Sequence, residues 1–150
     1  MNTPSFANPK PVRRGVVAVL WRDSRLLVIR RSPGVAAPGT LCFPGGGIEP
    51  GESEEQALER EMQEELACAV RPLRRLWTSV TAWQVELAWW HVELLPPGTW
   101  TLNLAEVSEA HWLTVDDLAQ RSDLLTSSLE FLAAWRRGEF VLEGGKFARP

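Results

Sequence analysis

The chain has 150 residues, with 16 Lys plus Arg against 19 Asp plus Glu and a net charge of −3, a length that suits one domain. With 45% hydrophobic and 23% charged residues it has the apolar mass for a packed core, which excludes wholesale disorder. No run approaches the roughly 18 apolar residues of a bilayer span, and Cys42 and Cys68 alone make neither a disulfide scaffold nor a four-thiolate zinc site. These features read as a cytoplasmic protein with reduced thiols and no membrane partner.

Residues 1–11 are polar and proline-rich and read as a flexible arm ahead of a single domain over 12–140, with 141–150 as a tail. Val12 to Arg22 is rich in β-branched residues and predicts a strand. Asp23-Ser24 is a turn, and Arg25 to Arg31 is the returning strand of a hairpin. Ser32 to Thr40 holds two prolines and two glycines and predicts a loop. Leu41-Cys42-Phe43 is a short apolar run that stops at Pro44, and Gly45-Gly46-Gly47 reads as open backbone leading to a helix. That helix begins at Ser53, which forms a capping-box pattern with Gln56, and ends over Ala67 to Val70 ahead of Pro72. Two strands follow, Leu73 to Val80 and Trp83 to Leu95, with a turn near Thr81-Ala82. Beyond the Pro96-Pro97-Gly98 loop come a last strand over Glu109 to Val115 and a short helix to Gln120. A C-terminal helix then runs over Leu124 to Arg137, with Leu125, Leu129, Leu132 and Trp135 at helical spacing. Strands and helices mix without βαβ alternation, which predicts an α+β fold with a mixed sheet between helices.

Charge is concentrated in one place. Between Gly46 and Cys68 stand eight acids and a single base, Arg60, while the remainder is mildly basic. An acidic patch on such a background suits a cation together with an anionic ligand. A nucleic-acid duplex would want a basic face throughout. On a helical wheel with Leu58 at zero, Leu58, Met62 and Leu66 fall at about 0°, 40° and 80°, and Glu65, Glu61 and Glu64 at about −20°, −60° and −120°. The three carboxylates therefore flank the apolar stripe. Beside a core, desolvation and mutual repulsion oppose their ionisation, a conflict that a hard divalent cation such as Mg²⁺ or Mn²⁺ relieves. A solvated acidic helix face is the competing reading of the same spacing.

From Gly46 to Cys68 the sequence GGIEPGESEEQALEREMQEELAC resembles the Nudix box, G-x5-E-x7-R-E-U-x-E-E-x-G-U with U a bulky apolar residue. Gly46 is its first glycine, Glu52 its lone glutamate, Arg60-Glu61-Met62 its R-E-U and Glu64-Glu65 its paired acids. Ala67 stands where the family has glycine, which predicts a different conformation at the helix end. The resemblance implies a Nudix-type α/β/α sandwich and Mg²⁺-dependent hydrolysis of a nucleoside diphosphate linked to another group. It further implies that Glu61, Glu64 and Glu65 hold metal with the Gly45 carbonyl, that Arg60 orients the glutamates, and that Glu52 fixes the loop against the helix. In MutT-like members an acidic loop before a Trp-containing strand supplies one more ligand or base. Glu106, six residues before Trp112, matches that position, with Glu109 as runner-up; Glu61 and Glu106 stand as alternative general bases.

Further candidates for substrate contact are Gly46, Arg30 and Arg31, one of which points into the cleft by strand alternation, and His91, which sits among Trp89, Trp90 and Val92. Trp77, Trp83, Trp89 and Trp90 read as packing residues, and Trp89, Trp90 and Trp100 as an alternative interaction patch. Marks of relatives acting on ADP-ribose, diadenosine polyphosphates or coenzyme A are missing or incomplete: Trp83 and Val35 replace the expected proline and arginine, and the chain has no tyrosine. By elimination the resemblance points to a MutT-like (deoxy)nucleoside triphosphate pyrophosphohydrolase. A nucleotide-sugar or dinucleotide hydrolase and a non-catalytic nucleotide sensor are the alternatives, and a homodimer is left open.

Overall fold

The structure, a computed structural model, describes residues 13–142; the expected N-terminal arm and all but the start of the expected tail lie outside them. β1 (Arg13–Val19) and β2 (Trp21–Arg22) lead through the Asp23-Ser24 turn into β3 (Arg25–Arg31). Both turn residues have positive φ, 50° and 61°, as a two-residue hairpin connection matching the strand twist requires. β4 (Leu41–Cys42) and β5 (Gly45–Gly47) precede α1 (Glu54–Leu66), and β6 (Val70–Val80), β7 (Val85–Leu94), β8 (Val107–Thr114), α2 (Val115–Ala119) and α3 (Thr126–Arg136) complete the order.

The strands form two four-stranded sheets. The first has the order β5-β1-β7-β6, with β1 parallel to β7 and its other pairs antiparallel. In the second, β3 pairs β2 and β4 at its two ends along one edge and β8 along the other, all antiparallel. Edge strand β6 carries Pro72, and its register with β7 shifts twice, features that blunt an edge against pairing with another chain.

Period-two alternation explains the layers. In β1, Val16 and Ala18 pack with Leu58, Met62 and Leu66 of α1, whereas Val17 and Val19 pack with Phe131, Leu132 and Trp135 of α3. β3 divides likewise: Leu27 and Ile29 go to the α1 side, Leu26 and Val28 to the α3 side. Strands buried on both faces must lie between helices, so the fold is an α/β/α sandwich.

Four local expectations change. Gly45–Gly47 is a strand, not open backbone: it pairs antiparallel with Gly15–Val17. A Cβ on Gly45 would meet the Val16 carbonyl oxygen at 2.1 Å, so only glycine permits this approach. On α3 the buried face runs through Ser128, Phe131, Leu132 and Trp135 while Leu129 is exposed. Ala67 ends α1 in the left-handed region, φ 50° and ψ 39°, with its N–H donating to the Gln63 carbonyl; alanine adopts the glycine geometry rather than another. Finally, Leu142 is buried in the α3-side core, so packing runs past the expected boundary at 140.

Candidate active site

The capping box sets where α1 starts. The Ser53 side chain accepts from the Gln56 N–H (3.1 Å) and the Gln56 side chain from the Ser53 N–H (3.0 Å), with Glu54 and Glu55 at the positive end of the helix dipole. Glu54 also accepts from the Trp90 indole (3.0 Å) and Arg14 (3.1 Å), fastening the helix to β7 and β1. From that start the three box glutamates are graded by their wheel angle. Glu65 is 4% exposed, and the Glu61 and Glu64 side chains are 12% and 48% exposed.

Arg60 joins the acids to the loop before the helix. It donates to both Glu52 oxygens (2.7 and 2.8 Å), to Glu61 (2.9 Å), to Glu64 (3.3 Å) and to the Gly47 carbonyl (2.8 Å). Glu52 in turn accepts from the Glu49 N–H, closing the loop (3.0 Å). The guanidinium, followed by the backbone bond, pulls the Glu52 carboxyl down to about 2.

Glu61 and Glu65 are shifted the other way from Glu52. Burial and then repulsion from Glu61 push Glu65 upward. Burial raises Glu61 as well, against the pull of Arg60. Glu65 accepts from the Gly45 amide (3.1 Å), which ties β5 to the acid side of α1. Glu61 lies over Gly46, where a Cβ would come within 2.4 Å of the carboxyl carbon. Gly46 therefore cannot carry a side chain while Glu61 holds this position.

Glu61 and Glu65 face Glu106 across a cavity of about 220 Å³ that Gly45, Gly46, Ile29, Val35 and Arg31 also line. The loop carrying Glu106 is hooked to both neighbours. The Asn103 N–H donates to the Glu65 carbonyl (2.9 Å), the Glu106 N–H to the Asn103 carbonyl (2.9 Å) and the Ser32 N–H to the Glu106 carbonyl (3.0 Å). Glu64 stays on the outer margin against Arg60. Among the described residues no three acid, thiol or imidazole groups form a ready-made coordination cluster. The donor set around the cavity is nonetheless all oxygen, crowded and desolvated, which fits a hard divalent cation and not zinc.

The remaining candidates separate. Arg31 lines the cavity; its guanidinium donates to the Ala36 carbonyl (2.5 Å) and lies near the Cys42 sulfur (3.8 Å). Arg30 points elsewhere, held by Glu109, Asp123 (3.0 Å) and the Gly39 carbonyl (2.8 Å). The expectation of a phosphate contact by Arg30 therefore does not stand: adjacent strand residues face opposite ways. Glu109 is spent in that same pair, which lowers its pKa. His91 lines a separate cavity with Trp21, Arg22 and Trp112, not the acid cavity. Trp89 is 1% exposed, which removes it from any surface patch.

A second cavity of about 220 Å³ adjoins the first through Arg31, Gly45 and Gly46. Its walls are chiefly apolar, from Val17, Phe43, Val85, Leu87 and Leu125, with Ser127 and Ser128 at one side. The sequence reading missed these residues. The one available signal was Ser128, a polar residue on the apolar face of α3.

The family model described as NUDIX domain matches residues 11–135. The chain is 32% identical over 108 residues to the CTP pyrophosphohydrolase of Escherichia coli (strain K12), covering 70% of this chain and 78% of the relative. It is also 32% identical over 125 residues to a MutT-like protein of Streptomyces ambofaciens, covering 81% and 77% respectively. In fold it is similar to the crystal structure of the MutT protein from Methanosarcina mazei Go1, with a TM-score of 0.72 over 89% of this chain and 99% of that one at 20% identity.

Proposed function

From the premise that this chain belongs to the NUDIX domain family, whose hydrolases act on pyrophosphate bonds, we propose that it cleaves a (deoxy)nucleoside triphosphate to the monophosphate and pyrophosphate. The observation that carries this reading is the pair of joined cavities. They share Arg31, Gly45 and Gly46 in their lining, and each is smaller than the roughly 300 Å³ at which ligand pockets begin, which supports a ligand that reaches from one to the other. The acid-lined part suits a phosphoanhydride once its charge is balanced, and the apolar part suits a planar organic group. A nucleotide has both halves. The relative named CTP pyrophosphohydrolase supports a triphosphate over a nucleotide sugar or dinucleotide.

The family's hydrolases generally use divalent metals such as Mg²⁺. Glu61, Glu65 and Glu106 would hold such an ion here, with Glu64 at the rim within reach of the same face. When bound, the ion supplies positive charge at the bridging phosphates and acidifies water. The chain's own residues do the rest. Arg31, the cationic side chain shared by both cavities, draws in a phosphate and orients it at the junction. Arg60 fixes Glu61 from behind and Glu52 anchors Arg60, so the acid wall is set before substrate arrives. Water adds to phosphorus, the anhydride P–O bond breaks towards the pyrophosphate, and the water proton passes to a carboxylate facing the cavity, Glu61 or Glu106.

The test is product identification over a panel of nucleoside triphosphates, dinucleotides and nucleotide sugars with Mg²⁺. Monophosphate plus pyrophosphate from triphosphates is the expected result. Faster cleavage of a nucleotide sugar or dinucleotide would overturn the substrate assignment. Tight nucleotide binding with no product at any divalent metal would overturn the enzyme reading in favour of a sensor.

A further inference from the structure

The geometry points to a second ligand site, at the other end of the β1–β7 ladder from the acid and apolar cavities, that takes a flat aromatic ring bearing an anionic group.

A cavity of about 490 Å³ opens there, inside the roughly 300–1,000 Å³ range of small-molecule sites. It shares no lining residue with the acid cavity or the apolar one. The topology makes the opening. Gly15 to Val17 of β1 line the apolar cavity. Beyond Val19, in register with His91 of β7, the chain leaves the first sheet and enters the second as β2. Trp21 and Arg22 of β2 and Trp112 of β8 therefore supply the second sheet's share of the lining. The end of β7 and Leu73 of β6 supply the first sheet's share.

The chemistry of this lining is aromatic with one uncommitted charge. Each indole is fixed by another ring: Trp21 packs edge-on against Trp135, with ring centres 5.5 Å apart, and Trp112 lies 6.0 Å from Trp100. The Arg22 guanidinium sits 4.8 Å from the centre of the Trp112 ring, within cation–π range, and makes no ion pair among the described residues. Glu93, the one acid lining the cavity, is paired with Arg71 instead. Stacking on Trp112 fixes the plane of the guanidinium, so little freedom is lost when its N–H groups meet a carboxylate, sulfonate or phosphate. The indole N–H of Trp112 is buried with no acceptor among the described residues, a cost that an acceptor arriving in this wall removes. Leu73 is 46% exposed and gains cover from the same ligand. A cation set among aromatic and apolar walls favours a ring with an anion over a neutral or cationic one.

The experiment titrates the full chain with 8-anilinonaphthalene-1-sulfonate, an aromatic anion, by fluorescence and calorimetry. Wild type, Arg22→Gln and Leu73→Glu are compared. Neither residue lines the acid or apolar cavity, so kcat/KM for triphosphates should stay near wild type in both variants, and circular dichroism checks their fold. A single saturable site is expected, weakened about tenfold or more in each variant and unaffected by a non-hydrolysable triphosphate analogue. Competition then separates the sources of the anion. Displacement of the probe by CMP assigns a nucleotide, displacement by indole-3-acetate but not by CMP an aromatic carboxylate, and either supports the site. Absence of binding by the wild type at millimolar probe would overturn the inference, as would equal affinity in the two variants. Displacement by the triphosphate analogue would overturn it too, by placing the probe in the apolar cavity. Each of these results leaves the hydrolase reading standing.

Discussion

Replacing Ala67 by glycine should stabilise the protein, and the size of the gain follows from its backbone. Ala67 closes α1 at φ 50° and ψ 39°, where an L side chain costs about 1–2 kcal/mol. Glycine removes that strain but loses about 0.5–1 kcal/mol through the greater freedom of its unfolded chain. The methyl group is exposed, so its removal leaves no cavity, and the bond from residue 67 to the Gln63 carbonyl is kept. The difference spans about 0–1.5 kcal/mol, with a centre of ~0.75 kcal/mol in favour of glycine, or about 1.5–3 °C in Tm for a chain of this length. Urea titration and thermal melting, read by far-UV circular dichroism, measure it directly. A Tm that is unchanged or lower would refute the argument that left-handed strain is stored at this helix end.

Other expectations concern the acid cavity. Glu65→Gln should lower turnover by at least about 100-fold, a size typical of losing one preorganised electrostatic group, yet raise the melting temperature of metal-free protein. The pH dependence has a definite sign: burial raises the Glu65 pKa above its unfolded value, to about 9. The folded state therefore holds a proton the unfolded chain releases, and stability falls as pH rises from near 4.5 through 9. The stability advantage of Glu65→Gln over the wild type should accordingly shrink as pH drops from 8 to 5; an advantage that grows instead would contradict the burial argument. Gly46→Ala should cut kcat by about 10–100-fold, because its Cβ would displace the Glu61 carboxyl; wild-type kcat would show that Glu61 tolerates the shift. Arg31→Ala should lower kcat/KM by about 10–100-fold, as loss of a charge-assisted phosphate contact does. Arg30→Ala, measured beside it, should cost about 1 kcal/mol or less in stability and leave kcat/KM near wild type. Reversed effects of the two arginines would overturn their assignment to opposite faces.

Much of α1 was legible because a helix converts spacing into direction. The wheel ranked Glu65, Glu61 and Glu64 by distance from the apolar stripe, and their exposure follows that order. Ser53 and Gln56 gave the start of the helix for a similarly local reason, since both capping partners lie within one turn. The three glycines of β5 were not legible, because what makes them a strand is the approach of β1, distant in sequence. Alternation in β3 established that Arg30 and Arg31 diverge but not which faces the acids. Leu27 and Ile29, which share Arg31's parity and pack towards α1, settle it only once the position of α1 is known. The left-handed Ala67 was misread by applying residue preference where the hydrogen bond to Gln63 and the following strand prevail. The apolar cavity escaped notice because it is assembled from β1, β7, the segment around Phe43 and the start of α3, with no local pattern beyond Ser128.

The parallel pairing of β1 with β7 has a consequence for biosynthesis. Arg13 to Val19 find their register partners in Val85 to His91, so a nascent chain leaving the ribosome carries β1 with one flank bare until β7 has emerged. At ~5–20 residues per second that interval lasts several seconds. During it Val16 to Val19 offer an apolar ribbon to any other chain. Slowing translation between the two strands should therefore raise the fraction lost as insoluble material, whereas a pause after β7 should not.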